Sequence, residues 1–184
     1  FCIQTMKRAM MPLKKILKEP HNKKIVVIDI DMTVANNNKR LMSSLVAGEI
    51  DYEKLFGHEQ FKLDQLINGC RVAIDKIRDR YHVLYLSARR CDVYEPTKEW
   101  LESNDLFEEG DYLVLVDCVE DKKAVLDGLD AKIKLYIDDF GYNYHKEVVE
   151  INHGYILYLK EKGIPFVVFN NNWLEIMERY FNGK

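Results

Sequence analysis

Two aspartates follow an apolar run near the start of the chain. Residues 24–28 are one lysine and four Ile or Val residues, and Asp29 and Asp31 follow them with one residue between. An uninterrupted Ile/Val run is typical of a strand that is buried on both faces of a parallel sheet. Two carboxylates at the end of such a strand are costly to bury, because they lose solvation and repel each other. The pair therefore predicts a cation site or a phosphate-handling site at this point.

Polar residues also follow two later apolar runs. Residues 82–86 predict a strand that ends at Ser87, and residues 133–137 predict another that ends at Asp138 and Asp139. The carboxyl ends of parallel strands lie at one edge of the sheet, where open α/β sheets bind ligands. We therefore expect these residues to lie beside the first aspartate pair, although they are far from it in the sequence.

These groups suit a divalent cation together with a phosphate. Mg2+ prefers oxygen ligands and often shares its coordination sphere with a phosphate oxygen, so Asp29 and Asp139 are natural ligands. With the phosphate charge screened, Asp29 can attack phosphorus and form an aspartyl-phosphate. Asp31 can give a proton to the leaving oxygen and later take one from water. Ser87 can hydrogen-bond a phosphoryl oxygen, and Lys122 adds a fixed positive charge.

The rest of the chain alternates predicted strands with predicted helices. Further strands are expected at 112–116 and 165–169, and helices at 63–80 and through 97–102, 122–126, 155–160 and 173–181. This alternation predicts an α/β fold of three layers, Rossmann-like, with a central parallel sheet of about five strands. The polar segment 34–62 predicts a small flap or cap over the site, although a solvated loop with a short helix fits the residues equally.

Composition limits the classes of protein to which the chain can belong. A net charge of -3 at pH 7 argues against a nucleic-acid coat or a membrane-surface protein. No apolar run approaches the ~20 residues that span a bilayer. The four cysteines are scattered without the spacing of a zinc site, so we expect reduced thiols in a cytoplasmic protein.

The length of 184 residues predicts one domain. We assign it to residues 23–184 and assign residues 1–22 to an N-terminal helical extension. Methionine and leucine side chains recur at helical spacing in that extension, with basic residues around them. An upstream domain or a partner could use this helix.

The order of the motifs resembles that of the haloacid dehalogenase (HAD) superfamily, whose usual members are Mg2+-dependent phosphatases. An Asp-x-Asp-x-Thr follows the first strand, Ser follows the second, Lys precedes the fourth, and Asp-Asp follows it, over about residues 25–169. The resemblance implies that Asp29 is the nucleophile and Asp31 the general acid/base, whose backbone carbonyl also binds the metal. It implies that Asp139 is a direct metal ligand and Asp138 an outer-sphere one.

The resemblance also assigns supporting residues. Thr33 and Ser87 become groups that bind phosphate or position the loop. Lys122 matches the lysine of the family better than Lys123, because apolar residues follow it at the expected offsets. Met32 stands where many members have glycine, so we expect that position not to need a positive φ. The segment between Asp139 and the next strand is longer than the family pattern.

A finer likeness is to the phosphatase domains of polynucleotide kinases, whose Ser-Gly-Arg is similar to Ser87-Ala88-Arg89 here. It implies a 3'-phosphatase acting on nucleic acid ends, or a nucleotidase. Four basic residues would then be available for additional phosphates. They are Lys39, Arg40, Arg89 and Arg90.

Two alternatives remain open from the sequence. One is a phosphatase of a small metabolite such as a sugar phosphate. The other is a non-catalytic phospho-receiver or regulatory module, since receivers also combine aspartates, a hydroxyl and a lysine. In receivers, however, the paired acids follow strand one and the phosphorylated aspartate follows strand three, an order that is absent here.

Overall fold

The computed structural model describes residues 23–129, 132–144, 146 and 148–182. The helical extension predicted for residues 1–22 lies outside the described residues. Within the described residues, no helix has both the length and the apolar character needed to cross a membrane.

The described residues form strands, α-helices and 3-10 helices. The strands are β1 (Ile25–Ile28), β2 (Ala35–Asn36), β3 (Leu45–Val46), β4 (Glu49–Ile50), β5 (Gln65–Leu66), β6 (His82–Ser87), β7 (Tyr112–Leu115), β8 (Ile133–Asp138), β9 (Gly141–Tyr142), β10 (Glu150–Ile151) and β11 (Phe166–Val168). The α-helices are α1 (Asn38–Ser43), α2 (Tyr52–Leu55), α3 (Cys70–Arg78), α4 (Tyr94–Ser103), α5 (Val119–Leu129), α6 (His153–Glu161) and α7 (Trp173–Tyr180). Two 3-10 helices span His58–Leu63 and Cys91–Val93.

A five-stranded sheet in the order β11-β8-β1-β6-β7 forms the centre of the molecule. All four neighbouring pairs are parallel. The predicted central parallel sheet is therefore confirmed. Strand β1 lies in the middle, and its four side chains are fully buried, as the uninterrupted Ile/Val run predicts.

The side chains of β1 alternate between two apolar clusters, one on each face of the sheet. Val26 and Ile28 pack in a cluster with α3, α4 and α7, whereas Ile25 and Val27 pack in a cluster with α5 and α6. Helices thus cover both faces, which confirms the three-layer α/β arrangement.

An insertion follows β1 and returns the chain to the sheet through α3. Its base is the antiparallel pair of β2 and β5, and it contains α1, the β3–β4 hairpin, α2 and the first 3-10 helix. Asp51 begins α2 by accepting a hydrogen bond from the Lys54 backbone N–H at 3.1 Å. The insertion ends at Leu66, four residues beyond the predicted flap of 34–62.

The helix predicted over residues 63–80 is wrong in its first part. The α-helix begins at Cys70, after Gly69, which has a φ of 84°. Leu63 ends a 3-10 helix, and Leu66 pairs with Ala35 in the β2–β5 ladder. Backbone pairing with the insertion therefore overrides the helical spacing of the apolar residues at this point.

A second hairpin, formed by β9 and β10, directly follows Asp139. Gly141 pairs with Ile151 and Tyr142 pairs with Glu150. Helix α6 then begins at His153. The long segment after the fourth sheet strand is thus a hairpin followed by a helix, and it stands beside the polar edge of the sheet.

Candidate active site

Asp29 lies at the end of β1 and accepts a hydrogen bond from a lysine of α5. Its backbone N–H donates to the Ile137 carbonyl at 2.9 Å, which holds it against β8. Lys122 Nζ donates to Asp29 Oδ1 at 2.6 Å, and both side chains are at least nine-tenths buried. Burial raises the pKa of Asp29 well above its usual range, although Lys122 acts against this rise. The lysine is therefore the main counter-charge of this carboxylate.

Asp138, at the end of β8, is the second partner of this lysine. Lys122 Nζ donates to Asp138 Oδ2 at 3.0 Å, and the Tyr136 hydroxyl donates to the same oxygen. The Phe140 backbone N–H donates to Asp138 Oδ1 at 2.6 Å. Burial alone would lower the pKa of Lys122, but Asp138 and Asp29 outweigh it and raise that pKa. Lys122 thus keeps its charge between two buried carboxylates.

Asp29, Asp138 and Asp139 together form a cluster that fits a hard cation. Each offers a carboxylate oxygen, and these oxygens lie within 4.8 Å of one another. Burial raises the pKa of Asp139 to about 6, while a hydrogen bond from Tyr144 opposes the rise. One lysine against three carboxylates leaves the cluster negative, and an all-oxygen donor set suits Mg2+. Since both oxygens of Asp138 already accept hydrogen bonds, Asp29 and Asp139 are the better direct ligands.

A pocket of about 120 Å3 opens onto this cluster. Ser87 and Ala88, at the end of β6, line it opposite the carboxylates, and Asp31 lines it as well. The pocket is several times larger than the space that one water molecule needs. It is large enough for a phosphate group, and the rest of a phosphomonoester would then extend outwards beside the β9–β10 hairpin, which lines the pocket.

Asp31 is held by two buried arginines. Arg89 donates to both of its carboxylate oxygens, at 2.7 and 2.8 Å, and Arg40 Nη2 donates to Oδ1 at 2.7 Å. Burial alone would raise the pKa of Asp31, but Arg89 and Arg40 outweigh it and hold that pKa far below its usual range. Asp31 is therefore a charged carboxylate in this arrangement.

Asp64 completes this ion-pair cluster from the end of the insertion. It accepts from Arg40 Nε at 2.8 Å and from Arg89 Nη2 at 2.9 Å, and its side chain is fully buried. Burial raises the pKa of Asp64, and Arg89 and Arg40 act against the rise. Phe61 lies under both guanidinium groups, at 4.7 and 5.1 Å from its ring centre. The cluster connects the insertion to the sheet edge.

Comparison with known proteins identifies the architecture. No family model matches the sequence, and no curated protein matches it significantly. Among solved structures, a predicted HAD-like family hydrolase from Porphyromonas gingivalis has a TM-score of 0.53 at 13% identity, with 88% of this chain and 99% of that chain covered. The chain has the HAD fold. The fold expected from the order of the motifs is thereby confirmed.

A chain of the Pnkp1/Rnl/Hen1 complex is also similar to the HAD fold of this protein. Its TM-score is 0.54 at 19% identity, and the alignment covers 81% of this chain. It covers 47% of the other chain, so the present chain spans about half the length of that protein.

The HAD fold brings together seven of the residues predicted from separate motifs. The pocket is lined by Asp29, Asp31, Ser87, Lys122 and Asp139, and also by Ala88 and Asp138. Lys123, the alternative lysine, instead places Nζ 5.4 Å from the centre of the Tyr158 ring. The geometry therefore favours Lys122 as the lysine of the site.

Other predicted residues lie away from the pocket. Thr33 is fully buried, and its Oγ1 has no hydrogen-bond partner among the described residues. Arg40 and Arg89 are each 1% exposed and bind carboxylates, so they do not face solvent as free phosphate-binding groups. Arg90 is partly exposed and pairs with Glu53 at 3.0 Å and with Asp92. Lys39 is exposed on α1.

The expectation that Met32 avoids a positive φ is wrong. Its φ is 57°. The chain turns sharply here, since the Met32 N–H donates to the Ala35 carbonyl at 2.7 Å while the Ala35 N–H donates to the Ile30 carbonyl at 2.9 Å. A side chain in this region costs about 1 kcal/mol, which the two hydrogen bonds of the turn offset.

Three functional neighbours were not predicted from the sequence. Asp64 binds the two arginines, Tyr136 bonds Asp138, and Tyr144 bonds Asp139. Tyr136 is the one with a readable signal, because it precedes Asp138 by two residues in a strand and so points to the same face. Asp64 belongs to the insertion and Tyr144 to the β9–β10 hairpin. The spacing of apolar residues in the sequence does not predict where these two segments lie.

Proposed function

We propose that the chain is a Mg2+-dependent phosphomonoester hydrolase that uses Asp29 as its nucleophile. The proposal rests on the 2.6 Å contact between Lys122 Nζ and Asp29 Oδ1 in a pocket that also holds Asp138 and Asp139. A carboxylate beside a fixed positive charge and a cation site is suited to attack phosphorus, because both charges offset that of the transferred group. The HAD fold supports the same class of reaction.

The reaction has two steps. First, an Asp29 oxygen forms a bond to phosphorus as the bond to the leaving oxygen breaks, and Asp31, which is charged in this structure, can protonate that oxygen only after it has taken up a proton itself. Second, water attacks the phosphorus of the aspartyl-phosphate, the bond to Asp29 breaks, and Asp31 takes the proton of the water. Lys122 stays beside the charged oxygens throughout. Magnesium, held by Asp29, Asp139 and the Asp31 carbonyl, would supply charge neutralisation, with Asp138 as an outer-sphere group.

Asp31 and Ser87 refine this proposal. Because Arg89 and Arg40 favour the charged form of Asp31, that residue is better suited to activate water than to protonate a leaving group. A leaving group that needs no proton, such as a phenolate, should therefore depart faster than an alkoxide. The Ser87 hydroxyl, which lines the pocket, would donate to a phosphoryl oxygen, and Thr33 is proposed only to position the loop.

For the substrate, we propose a nucleotide or a terminal phosphate of nucleic acid, of the 3'-phosphate type. The Ser87-Ala88-Arg89 motif and the similarity to a chain of the Pnkp1/Rnl/Hen1 complex support this choice. The exposed Lys39 remains available to a second phosphate. Arg40 and Arg89 bind Asp31 and Asp64, so in this proposal they act on the substrate through Asp31.

A small sugar phosphate is the second candidate substrate. One observation favours it: Arg40, Arg89 and Arg90 are all engaged by carboxylates, which leaves few cations for a nucleic acid backbone. A phospho-receiver module would also form an aspartyl-phosphate, but it would not hydrolyse it in repeated catalytic cycles.

The activity is tested by phosphate release from an aryl phosphate, with the parent chain and with Asp29→Asn. We expect release that requires Mg2+ and is lost in the variant. Release that persists in EDTA or in Asp29→Asn would refute the mechanism. A stable phosphorylated chain without release would indicate the receiver.

Substrate class is tested by a panel that contains a 3'-phosphorylated oligonucleotide, a 5'-phosphorylated oligonucleotide, mononucleotides and small sugar phosphates. We expect the highest kcat/KM for the 3'-phosphorylated oligonucleotide. A strong preference for sugar phosphates would eliminate the nucleic-acid proposal and leave the hydrolase intact.

We also propose that the protein works in a reducing compartment such as the cytoplasm. Among the described residues, Cys70, Cys91 and Cys118 are not joined by disulfides, and disulfides are rare in such compartments. Recovery of the protein in a secreted or membrane fraction of its cells would contradict this.

A further inference from the structure

The β9–β10 hairpin is closed by its own hydrogen bonds directly after the metal-site aspartates. Glu150 accepts from the Tyr142 hydroxyl at 2.6 Å and from Asn143 Nδ2 at 3.0 Å. The Asn152 N–H donates to the Phe140 carbonyl at 2.8 Å. These contacts hold the two strands of the hairpin together, and Tyr144 lies two residues beyond the first of them.

Tyr144 comes from this hairpin back into the pocket and reaches Asp139. Its hydroxyl donates to Asp139 Oδ2, and the Gly141 backbone N–H also bonds the Asp139 carboxylate. A Cβ at position 141 would collide with the Tyr144 hydroxyl and with Asp139 Oδ2. Glycine at 141 thus lets the phenol and the carboxylate meet.

We propose that Tyr144 is a positioning residue that orients Asp139 for the divalent cation. With Oδ2 tied to the phenol, the carboxylate cannot rotate freely while one of its oxygens belongs to the cluster with Asp29 and Asp138. Groups that hold a metal ligand in this way typically contribute 10–100-fold to metal affinity. The inference rests on the proposed function, because it takes Asp139 as a direct ligand.

The test is Mg2+ binding to the metal-free chain, measured by titration calorimetry without substrate. Tyr144→Phe keeps the ring and removes only the hydroxyl, so we expect the Kd for Mg2+ to rise about 10-fold. Tyr52→Phe is the control, since its ring is exposed on α2 and does not line the pocket. We expect that control to bind Mg2+ as the parent does. Circular dichroism and thermal unfolding verify that both variants are folded.

A second readout separates positioning from general damage. If Tyr144 acts through the cation site, raising Mg2+ should restore phosphate release by Tyr144→Phe towards the parent kcat. A folded Tyr144→Phe chain that binds Mg2+ with the parent Kd would overturn the inference, and so would a loss of release that excess Mg2+ does not restore.

The failure of this inference differs from the failure of the proposed function. If the parent binds Mg2+ and releases phosphate while Tyr144→Phe behaves identically, only the role of Tyr144 is wrong. If the parent neither binds Mg2+ nor releases phosphate, the proposed function itself is wrong.

Discussion

At the scale of single residues, Lys122 decides how three carboxylates can share one buried edge. It lies 2.6 Å from Asp29 Oδ1 and 3.0 Å from Asp138 Oδ2, and it is 4% exposed. A buried ion pair contributes little net stability, but removing one partner leaves an uncompensated charge. The position of Lys122 is therefore explained better by a reaction that needs a fixed charge than by stability.

Replacing this lysine should remove activity, whereas replacing its neighbour should not. We expect Lys122→Met to lower kcat for phosphate release by at least about 100-fold, because the charge beside the transferred group is lost. Lys123→Met is the matched control, since Lys123 lies over the Tyr158 ring and does not line the pocket. Steady-state kinetics on an aryl phosphate distinguishes the two. Equal losses in both variants would contradict the assignment.

At the scale of elements, buried ion pairs join the insertion to the edge of the sheet. Arg40 of α1 and Asp64 before β5 meet Arg89 and Asp31 from the sheet edge in one buried cluster. Two positive and two negative groups balance there. Movement of the insertion would therefore also move Arg40, which contacts Asp31.

Asp64→Asn should destabilise the chain. The amide presents a donor to two guanidinium donors and leaves a net buried positive charge, so we expect a loss of about 3 kcal/mol in the free energy of unfolding. Urea denaturation measures it. Glu59→Gln, in the same insertion but in an exposed pair with Lys62, is the control and should show no measurable change. A stability for Asp64→Asn equal to that of the parent would show that the cluster does not secure the insertion.

The sheet and the position of the insertion could be predicted from the sequence, whereas the elements within the insertion could not. The runs that form β1, β6 and β8 are long and apolar, so their strand ends could be placed at one edge. Strands of two residues, such as β2 and β5, carry no periodicity. Residues 65 and 66, which belong to the first turn of the helix predicted over residues 63–80, instead pair with β2 as strand β5. For the same reason, Asp64 and Tyr144 could not be placed at the site.

At the scale of the whole molecule, the parallel sheet concentrates negative charge at the carboxyl ends of β1 and β8. Asp29, Asp138 and Asp139 gather there, against the single charge of Lys122 within the described residues of the cluster. This arrangement lowers the stability of the native state, because each carboxylate is desolvated and lies near another. Its presence is therefore better explained by a function than by stability. A divalent cation should relieve this repulsion.

Mg2+ should therefore stabilise the native chain. Binding to the native state alone adds about 2.7 kcal/mol when the cation is at 100 times its Kd, which corresponds to roughly 5–10 °C in Tm for a chain of this size. Scanning calorimetry with and without EDTA measures the shift. We expect Asp139→Asn to abolish most of it and Asp127→Asn, an exposed residue paired with Lys162, to retain it. A full shift in Asp139→Asn would contradict the cation site.

The central claim is that Asp29 becomes phosphorylated during hydrolysis. The most direct measurement is peptide mass spectrometry of the chain after rapid acid quenching of a reaction with an aryl phosphate and Mg2+. We predict one added phosphoryl group on the peptide that contains Asp29, absent in EDTA and absent in Asp29→Asn. Steady phosphate release with no phosphorylated Asp29 peptide, or with release retained in Asp29→Asn, would contradict it.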